Sequence, residues 1–290
     1  MIKDAYIIDA IRTPIGNFGG TLSTVRPDDL GALVMKELIN RNPTLNPSEI
    51  EDVLFGCANQ AGEDNRNVAR MSSLLAGLPH TLGGETVNRL CASGMASTIN
   101  ASRAIKIGDG DIYISGGVEN MTRGPWVISK VSKPFGRDAQ MHDSSFGWRF
   151  INPKMKELYG VDGMGQTAEN LVDMYNISRE DQDQFAYWSQ MKATKAQENG
   201  ILAEEIVPVI IPQRKKEDLI FDKDEFIRPS TTVEILNKLR PAFRKEGGSV
   251  TAGNSSGLND GAGAILVASE EAAKRNGLTP KARIVSSAIA

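Results

Sequence analysis

The sequence has 290 residues, 40% hydrophobic and 24% charged, an ordinary composition for a soluble globular chain and enough for roughly two domains. Its formal net charge is -3, with 33 basic against 36 acidic residues, which excludes a nucleic-acid coat or a membrane-surface binder driven by bulk charge. No apolar run approaches the ~20 residues that span a bilayer, and Met1-Ile2-Lys3-Asp4 passes into a strand without a charged-then-apolar leader. Two cysteines, Cys57 and Cys91, make no disulfide framework and fit a reducing cytoplasm. No Cys/His cluster has zinc spacing, and His80 and His142 are the only histidines, so no metal site is expected.

Residues 5–9 are a short apolar run that reads as a buried strand. The stretch 12–20 carries Pro14, Gly16, Gly19 and Gly20 and reads as a loop. Pro27-Asp28-Asp29 opens a helix whose Leu30, Leu33, Val34 and Leu38 share one face. A strand at 53–55 ends at Gly56, a helix over 67–76 is stopped by Gly77 and Pro79, and 86–88 is strand-like. Residues 112–115 form another buried strand, ended by Gly116-Gly117. Strands alternating with helices predict an α/β core with a largely parallel sheet.

The character changes near Asn120. The three tryptophans, Trp126, Trp148 and Trp188, all lie beyond it and before residue 250. Two helices are clear there, one over 166–175 and one opening at Ser178, with Asp181 as a capping-box-like partner, and closing before Gly200. Phe185, Trp188 and Met191 on the second helix read as packing, and Arg214-Lys215-Lys216 as a solvated loop face. We therefore divide the chain into a core domain of residues 1–119 plus 249–274, an inserted domain of 120–248, and a new element from 275 to 290. Within the last of these, residues 282–290 faintly echo residues 5–12 at the start of the chain. A strand over 264–268 is expected to rejoin the core.

The most informative stretch is Asn88-Arg89-Leu90-Cys91-Ala92-Ser93-Gly94-Met95, where a strand gives way to a helix rich in small residues. A cysteine beside the first turn meets free backbone N–H groups and the positive dipole end, which suit a thiolate nucleophile and an oxyanion on an attacked carbonyl. The same position also suits a small buried packing residue, the commonest use of a free cysteine. Cys57 has no such surroundings and reads as structural or lining.

The Cys91 segment resembles the thiolase segment that carries the acylated cysteine. Ile11-Arg12-Thr13-Pro14-Ile15-Gly16 resembles the opening loop of thiolases, and Gly116-Gly117-Val118-Glu119-Asn120-Met121 the turn into their loop domain. Gly165-Gln166-Thr167-Ala168-Glu169-Asn170 and Lys238-Leu239-Arg240-Pro241-Ala242-Phe243 resemble motifs inside that domain. The run from Val250 to Ala262, with Gly253-Asn254-Ser255-Ser256-Gly257, is similar to the signature that returns the chain to the core. Residues 56–70, 146–150 and 200–208 look like 3-oxoadipyl-CoA thiolases in particular.

The resemblance implies an α/β fold with a layered αβα core and an inserted loop domain, a second core domain being largely absent. It implies an acyltransferase that cleaves or forms 3-ketoacyl-CoA through a Cys91 acyl-enzyme, with coenzyme A or acetyl-CoA as substrate and no permanently bound cofactor. It places Arg228 at the nucleotide end of coenzyme A, Ser256 near the pantetheine and Met164 in the acyl pocket. On their residue types alone, Arg228 also suits a surface ion pair, Ser256 a turn and Met164 core filling. Some short-chain thiolases carry a histidine where this chain has Gly163. The family's Gly-His-Pro, Asn-Glu-Ala-Phe and Cys-x-Gly motifs do not occur in these residues. The sequence is therefore expected to be a C-terminally truncated thiolase, with poor turnover alone. The expected partners are acyl-CoA molecules and further copies of the chain in a homodimer or homotetramer, with 65–70 as a candidate interface; no nucleic acid or membrane is expected. A ketoacyl synthase of the same fold, a general acetyl-CoA C-acetyltransferase and a non-catalytic acyl-CoA binder are the alternatives.

Overall fold

The computed structural model describes residues 3–289. In chain order the elements are β1 (Ala5–Arg12), β2 (Gly16–Asn17), α1 (Pro27–Asn40), β3 (Asp52–Gly56), α2 (Val68–Leu75), β4 (Glu85–Val87), α3 (Ser93–Ile107) and β5 (Ile112–Asn120). Then come β6 (Trp126–Ile128), β7 (Met141–Asp143), α4 (Pro153–Tyr159), α5 (Met164–Tyr175) and α6 (Arg179–Glu198). The rest are β8 (Val209–Ile211), β9 (Leu219–Phe221), α7 (Val233–Asn237), β10 (Asn259–Ser269), α8 (Glu270–Arg275) and β11 (Ala282–Arg283). The chain divides into two compact units. The first holds residues 1–123, 203–225 and 259–290; the second holds 124–202 and 226–258.

The first unit is built on one sheet of order β11-β1-β10-β5-β3-β4, with β2 also pairing β10. Alternation along the strands sends side chains to two separate cores. Val53, Phe55, Ile112, Ile114 and Leu266 join Leu30, Val34, Leu38 and Val68 of α1 and α2. Their neighbours Leu54, Tyr113 and Val267 point the other way, onto Ala101 and Ile105 of α3. Helices therefore cover both faces, and each central strand is apolar at consecutive positions, as strands buried on both faces are.

The sheet is not largely parallel, as the alternation of elements predicts. β3 pairs β4 and β5 in parallel, whereas β10 runs antiparallel to both β1 and β5, and β11 antiparallel to β1. The cause is the late entry of β10, which arrives from the far side of the inserted residues and slots between two strands formed near the start. It extends well beyond residues 264–268. Strand β5 likewise continues through Gly116-Gly117 to Asn120 instead of ending there. Gly116 has φ +143, and a methyl group on it would lie 2.1 Å from the carbonyl oxygen of Gly263 on β10. Glycine here keeps two strands in register at a close approach.

Residues 203–225 belong to this unit, although their composition matches the stretch around them. Arg12 forks onto Asp224 with 2.6 and 2.9 Å bonds and donates to Glu205 at 2.7 Å, while its carbonyl accepts from the Val207 amide at 2.7 Å. Val207, Val209, Ile211 and Phe221 add to the larger core. The loop Arg214-Lys215-Lys216 is exposed, as expected.

The second unit is held by glycines facing large side chains. A methyl group on Gly165 would lie 2.1 Å from the Phe243 ring, one on Gly253 2.5 Å from Leu239, and one on Gly257 2.5 Å from Phe226. The three motif segments around residues 165–170, 238–243 and 250–257 are thus one packed cluster. Phe185 and Trp188 are exposed on α6, contrary to the packing role their spacing suggests. Their helix buries only Asp183.

Candidate active site

The turn between β4 and α3 presents Cys91. Asn88 folds back on itself, its Oδ1 accepting the Leu90 amide at 3.0 Å. Leu90 takes φ +49, a left-handed conformation that costs a non-glycine residue on the order of 1 kcal/mol and has to be held by its surroundings. Ser93 supplies that hold. Its Oγ accepts the Arg89 amide at 2.9 Å and donates to the Leu90 carbonyl at 2.6 Å, and its amide bonds the same carbonyl at 3.0 Å. Cys91 sits at the crown of this closed turn and is exposed, as are its neighbours Leu90 and Ala92. The alternative role of a buried packing residue is therefore wrong for this cysteine.

Helix α3 is pressed onto the sheet just behind this turn. A methyl group on Gly56 would lie 2.5 Å from the Ser93 carbonyl carbon and 2.6 Å from the Gly94 nitrogen, so β3 must carry glycine there. Ser97 pins the helix, its Oγ lying 2.7 Å from the Gly94 carbonyl, 2.8 Å from that of Gly116 and 3.0 Å from the Gly116 amide. No side chain caps the helix start at Ala92, and its first turn holds no acidic residue. The positive end of the helix dipole beside Cys91 is thus left unneutralised by its own helix, a setting that serves a nucleophilic sulfur and a developing oxyanion.

Cys57 is the opposite case. It is buried, its Sγ donates to Asp64 Oδ2 at 3.6 Å, and burial together with Glu119 and Asp64 pushes its thiol well above the usual range. Among the described residues, Cys57, Asp64 and Glu119 bring polar atoms within 4.8 Å of one another, a grouping their spacing does not reveal. The carboxylates are already committed to backbone. Asp64 accepts the Gln60 and Gly62 amides at 3.2 and 2.9 Å, and Glu119 those of Ala58 and Asn59 at 2.8 and 3.1 Å. The cluster is a clasp on the 57–64 loop, whose residue Ala58 in turn receives the Asn88 side chain at 3.1 Å.

Met164, Arg228 and Ser256 all fall in the second unit and are exposed. Met164 opens α5 with 78% of its surface free, which removes the core-filling alternative. Arg228 makes no ion pair among the described residues. Its guanidinium lies 5.4 Å from the centroid of Phe226, and its amide bonds Gln190 Oε1 at 2.8 Å. That ring is the one Gly257 packs against, so Phe226 links the position after Ser256 to Arg228. Sequence reasoning missed Phe226. Only the adjoining glycine, which has no reason to be small unless something large faces it, carries a signal. Gly163 caps the start of α5 at φ −70, and nothing lies within 4 Å of where its side chain would begin.

The residues 5–271 match the family model described as thiolase, N-terminal domain. The chain belongs to the thiolase family. It is 55% identical over 289 residues to the 3-oxoadipyl-CoA/3-oxo-5,6-dehydrosuberyl-CoA thiolase of Escherichia coli K12, a match covering 100% of this chain and 72% of that protein. It is 45% identical over 291 residues to the 3-ketoacyl-CoA thiolase of Aeromonas hydrophila, covering 70% of that protein. A crystal structure of the Bacillus anthracis acetyl-CoA acetyltransferase superimposes with TM-score 0.85 at 40% identity, covering 98% of this chain and 70% of that one.

Proposed function

We propose that this chain supplies the nucleophile and the coenzyme A contacts of a thiolase that cleaves 3-oxoadipyl-CoA with coenzyme A to succinyl-CoA and acetyl-CoA. The observation that carries this is the exposed Cys91 at the head of α3, within a chain that is 55% identical to a 3-oxoadipyl-CoA thiolase along its whole length. The Cys91 thiolate adds to the C3 carbonyl of the substrate. The C2–C3 bond then breaks, acetyl-CoA leaves as its enolate and takes a proton at C2, and Cys91 keeps the succinyl group as a thioester. The coenzyme A thiol gives up its proton, which balances the one taken at C2, and its thiolate attacks that thioester, releasing succinyl-CoA and the Cys91 thiolate. Sulfur suits both halves, being a good nucleophile and a good leaving group. Coenzyme A is held without a resident cofactor, its nucleotide end by Arg228 over Phe226, its pantetheine by Ser256, with Met164 beside the acyl chain. The protein works in the cytoplasm as a homodimer or homotetramer, an assembly supported by the free edge of the short strand β4 and the exposed Leu74 and Leu75 of α2.

The test is acylation of the 290-residue chain by succinyl-CoA, acetyl-CoA and butyryl-CoA, followed by peptide mass. Cys91 and not Cys57 is expected to be labelled, fastest by succinyl-CoA. Labelling by butyryl-CoA at an equal or higher rate removes the dicarboxylic preference. No label at Cys91 removes the mechanism. A general acetyl-CoA C-acetyltransferase is the second reading, favoured by the Bacillus anthracis structure. Fastest labelling by acetyl-CoA selects it.

A further inference from the structure

Two carboxylates of the second unit, Glu169 on α5 and Asp183 on α6, are completely buried and serve the same loop. Glu169 Oε1 accepts the amides of Ser249 and Val250 at 3.0 and 2.9 Å, and Oε2 lies 3.2 Å from the Ser249 amide and 3.4 Å from its hydroxyl. Asp183 accepts Arg179 Nε on one oxygen at 2.8 Å and Asn254 Nδ2 on the other at 2.9 Å. Asn254 in turn accepts the Thr251 amide at 2.7 Å and donates to the Ser249 carbonyl at 3.2 Å. Thr251 Oγ1 accepts the Gly253 and Asn254 amides at 3.1 and 3.2 Å, and Ser255 Oγ donates to the Thr251 carbonyl at 2.6 Å. This network extends along the loop as far as Ser255, and the next residue, Ser256, is exposed. Two consecutive amides facing inward need acceptor oxygens, and the carboxyl group at position 169 offers two oxygens to them.

We propose that Glu169 and Asp183 are positioning residues, which through Asn254 fix the 249–255 loop and thereby aim Ser256 at the pantetheine arm of coenzyme A. This rests on the assignment of Ser256 and Arg228 to coenzyme A made above. The test is equilibrium dialysis of the 290-residue chain and its E169Q, N254A and S256A variants against coenzyme A, pantetheine and adenosine 3′,5′-bisphosphate. E169Q and N254A are expected to weaken coenzyme A and pantetheine about tenfold, as S256A does, because a loop displaced by a fraction of an ångström loses its aligned contacts. The bisphosphate, held at Arg228, is expected to stay within about twofold of its affinity for the unmodified chain. Unchanged coenzyme A affinity in folded variants overturns the proposal. So does equal loss of pantetheine and bisphosphate, the mark of general loosening. Should E169Q fail to fold, N254A decides alone, since it leaves Asp183 paired with Arg179. An unmodified chain that binds no coenzyme A refutes the assignment of Ser256 and Arg228, and this proposal falls with it. Binding by that chain with indifferent variants refutes this proposal only.

Discussion

Cys91 and Cys57 both lie in loops of the first unit and differ in everything that matters for reactivity. The first crowns a closed turn in solvent, and the second lies under a pair of backbone-bonded carboxylates. Cys91→Ala is expected to abolish labelling by acyl-CoA while moving stability by no more than ~0.5 kcal/mol, the usual range for an exposed site, as read by peptide mass and urea melts. Ser93→Ala removes the hydroxyl that closes the turn against the left-handed Leu90. It is expected to cost about 1–2 kcal/mol and to slow Cys91 acylation, because the turn then relaxes. Two carboxyls elsewhere in the first unit should show opposite pH behaviour. Arg123, bonded at 2.5 Å and helped by Arg26, holds Glu63 below its ordinary range against the opposing effect of burial. Its stabilisation is present above the ordinary glutamate range and is lost as pH falls through the lowered value. Glu63→Gln should therefore be less stable than the parent at pH 7 and converge with it at acid pH. Burial pushes Asp260 up despite its bonds to Thr122, so its folded value exceeds the unfolded one. Its ionisation costs stability as pH rises through that value, and Asp260→Asn should gain on the parent between acid and neutral pH in thermal melts.

At the scale of elements, α3 depends on what the strands beneath it lack. Gly56→Ala and Gly116→Ala are each expected to destabilise by ~2 kcal/mol or more, the second more severely since it adds a disallowed backbone angle to a carbonyl clash. Equilibrium unfolding with Cys91 acylation followed in parallel checks both. Most helices were legible in the sequence. Pro27 with Asp28-Asp29 marks α1, Ser178 with Asp181 marks α6, and their observed starts agree within a residue. Strand ends were less legible. Gly116-Gly117 looks like a stop, but in β5 it is a place where backbones come together, and a single sequence does not distinguish the two. The direction of β10 was hidden for a deeper reason, because strand polarity follows from where a segment docks and not from its own residues. The same holds for 203–225, whose tie to Arg12 is a long-range ion pair with no local pattern.

Across the whole molecule, Cys91 as the proposed nucleophile and Arg228, Ser256 and Met164 as the proposed coenzyme A residues were legible only as motifs. Burial corrected the alternatives for Cys91 and Met164, while the role of Phe226 emerges only once it meets Gly257, and the Glu169 clasp only once segments 80 residues apart are brought into contact. A protein consisting of these 290 residues alone is expected to take an acyl group on Cys91 and show no thiolysis in a coupled assay, since the family's Gly-His-Pro, Asn-Glu-Ala-Phe and Cys-x-Gly motifs are not among them. Native-like turnover would refute that.

The placement of β10 also sets a clock on biosynthesis. Among the described residues, β1 pairs along its length with β10 and β11 alone, the single bridge from its last residue, Arg12, to Ile206 apart, so most of the first strand made has no strand partner until residues beyond 258 leave the ribosome. At roughly 5–20 residues per second that wait is on the order of tens of seconds. Throughout it, an apolar ribbon is bare in a crowded cell, and β5 waits with one edge open. Trigger-factor-like chaperones should therefore be found on nascent chains up to about residue 260 and depart soon after, and slowing translation just upstream of β10 should raise the fraction that aggregates.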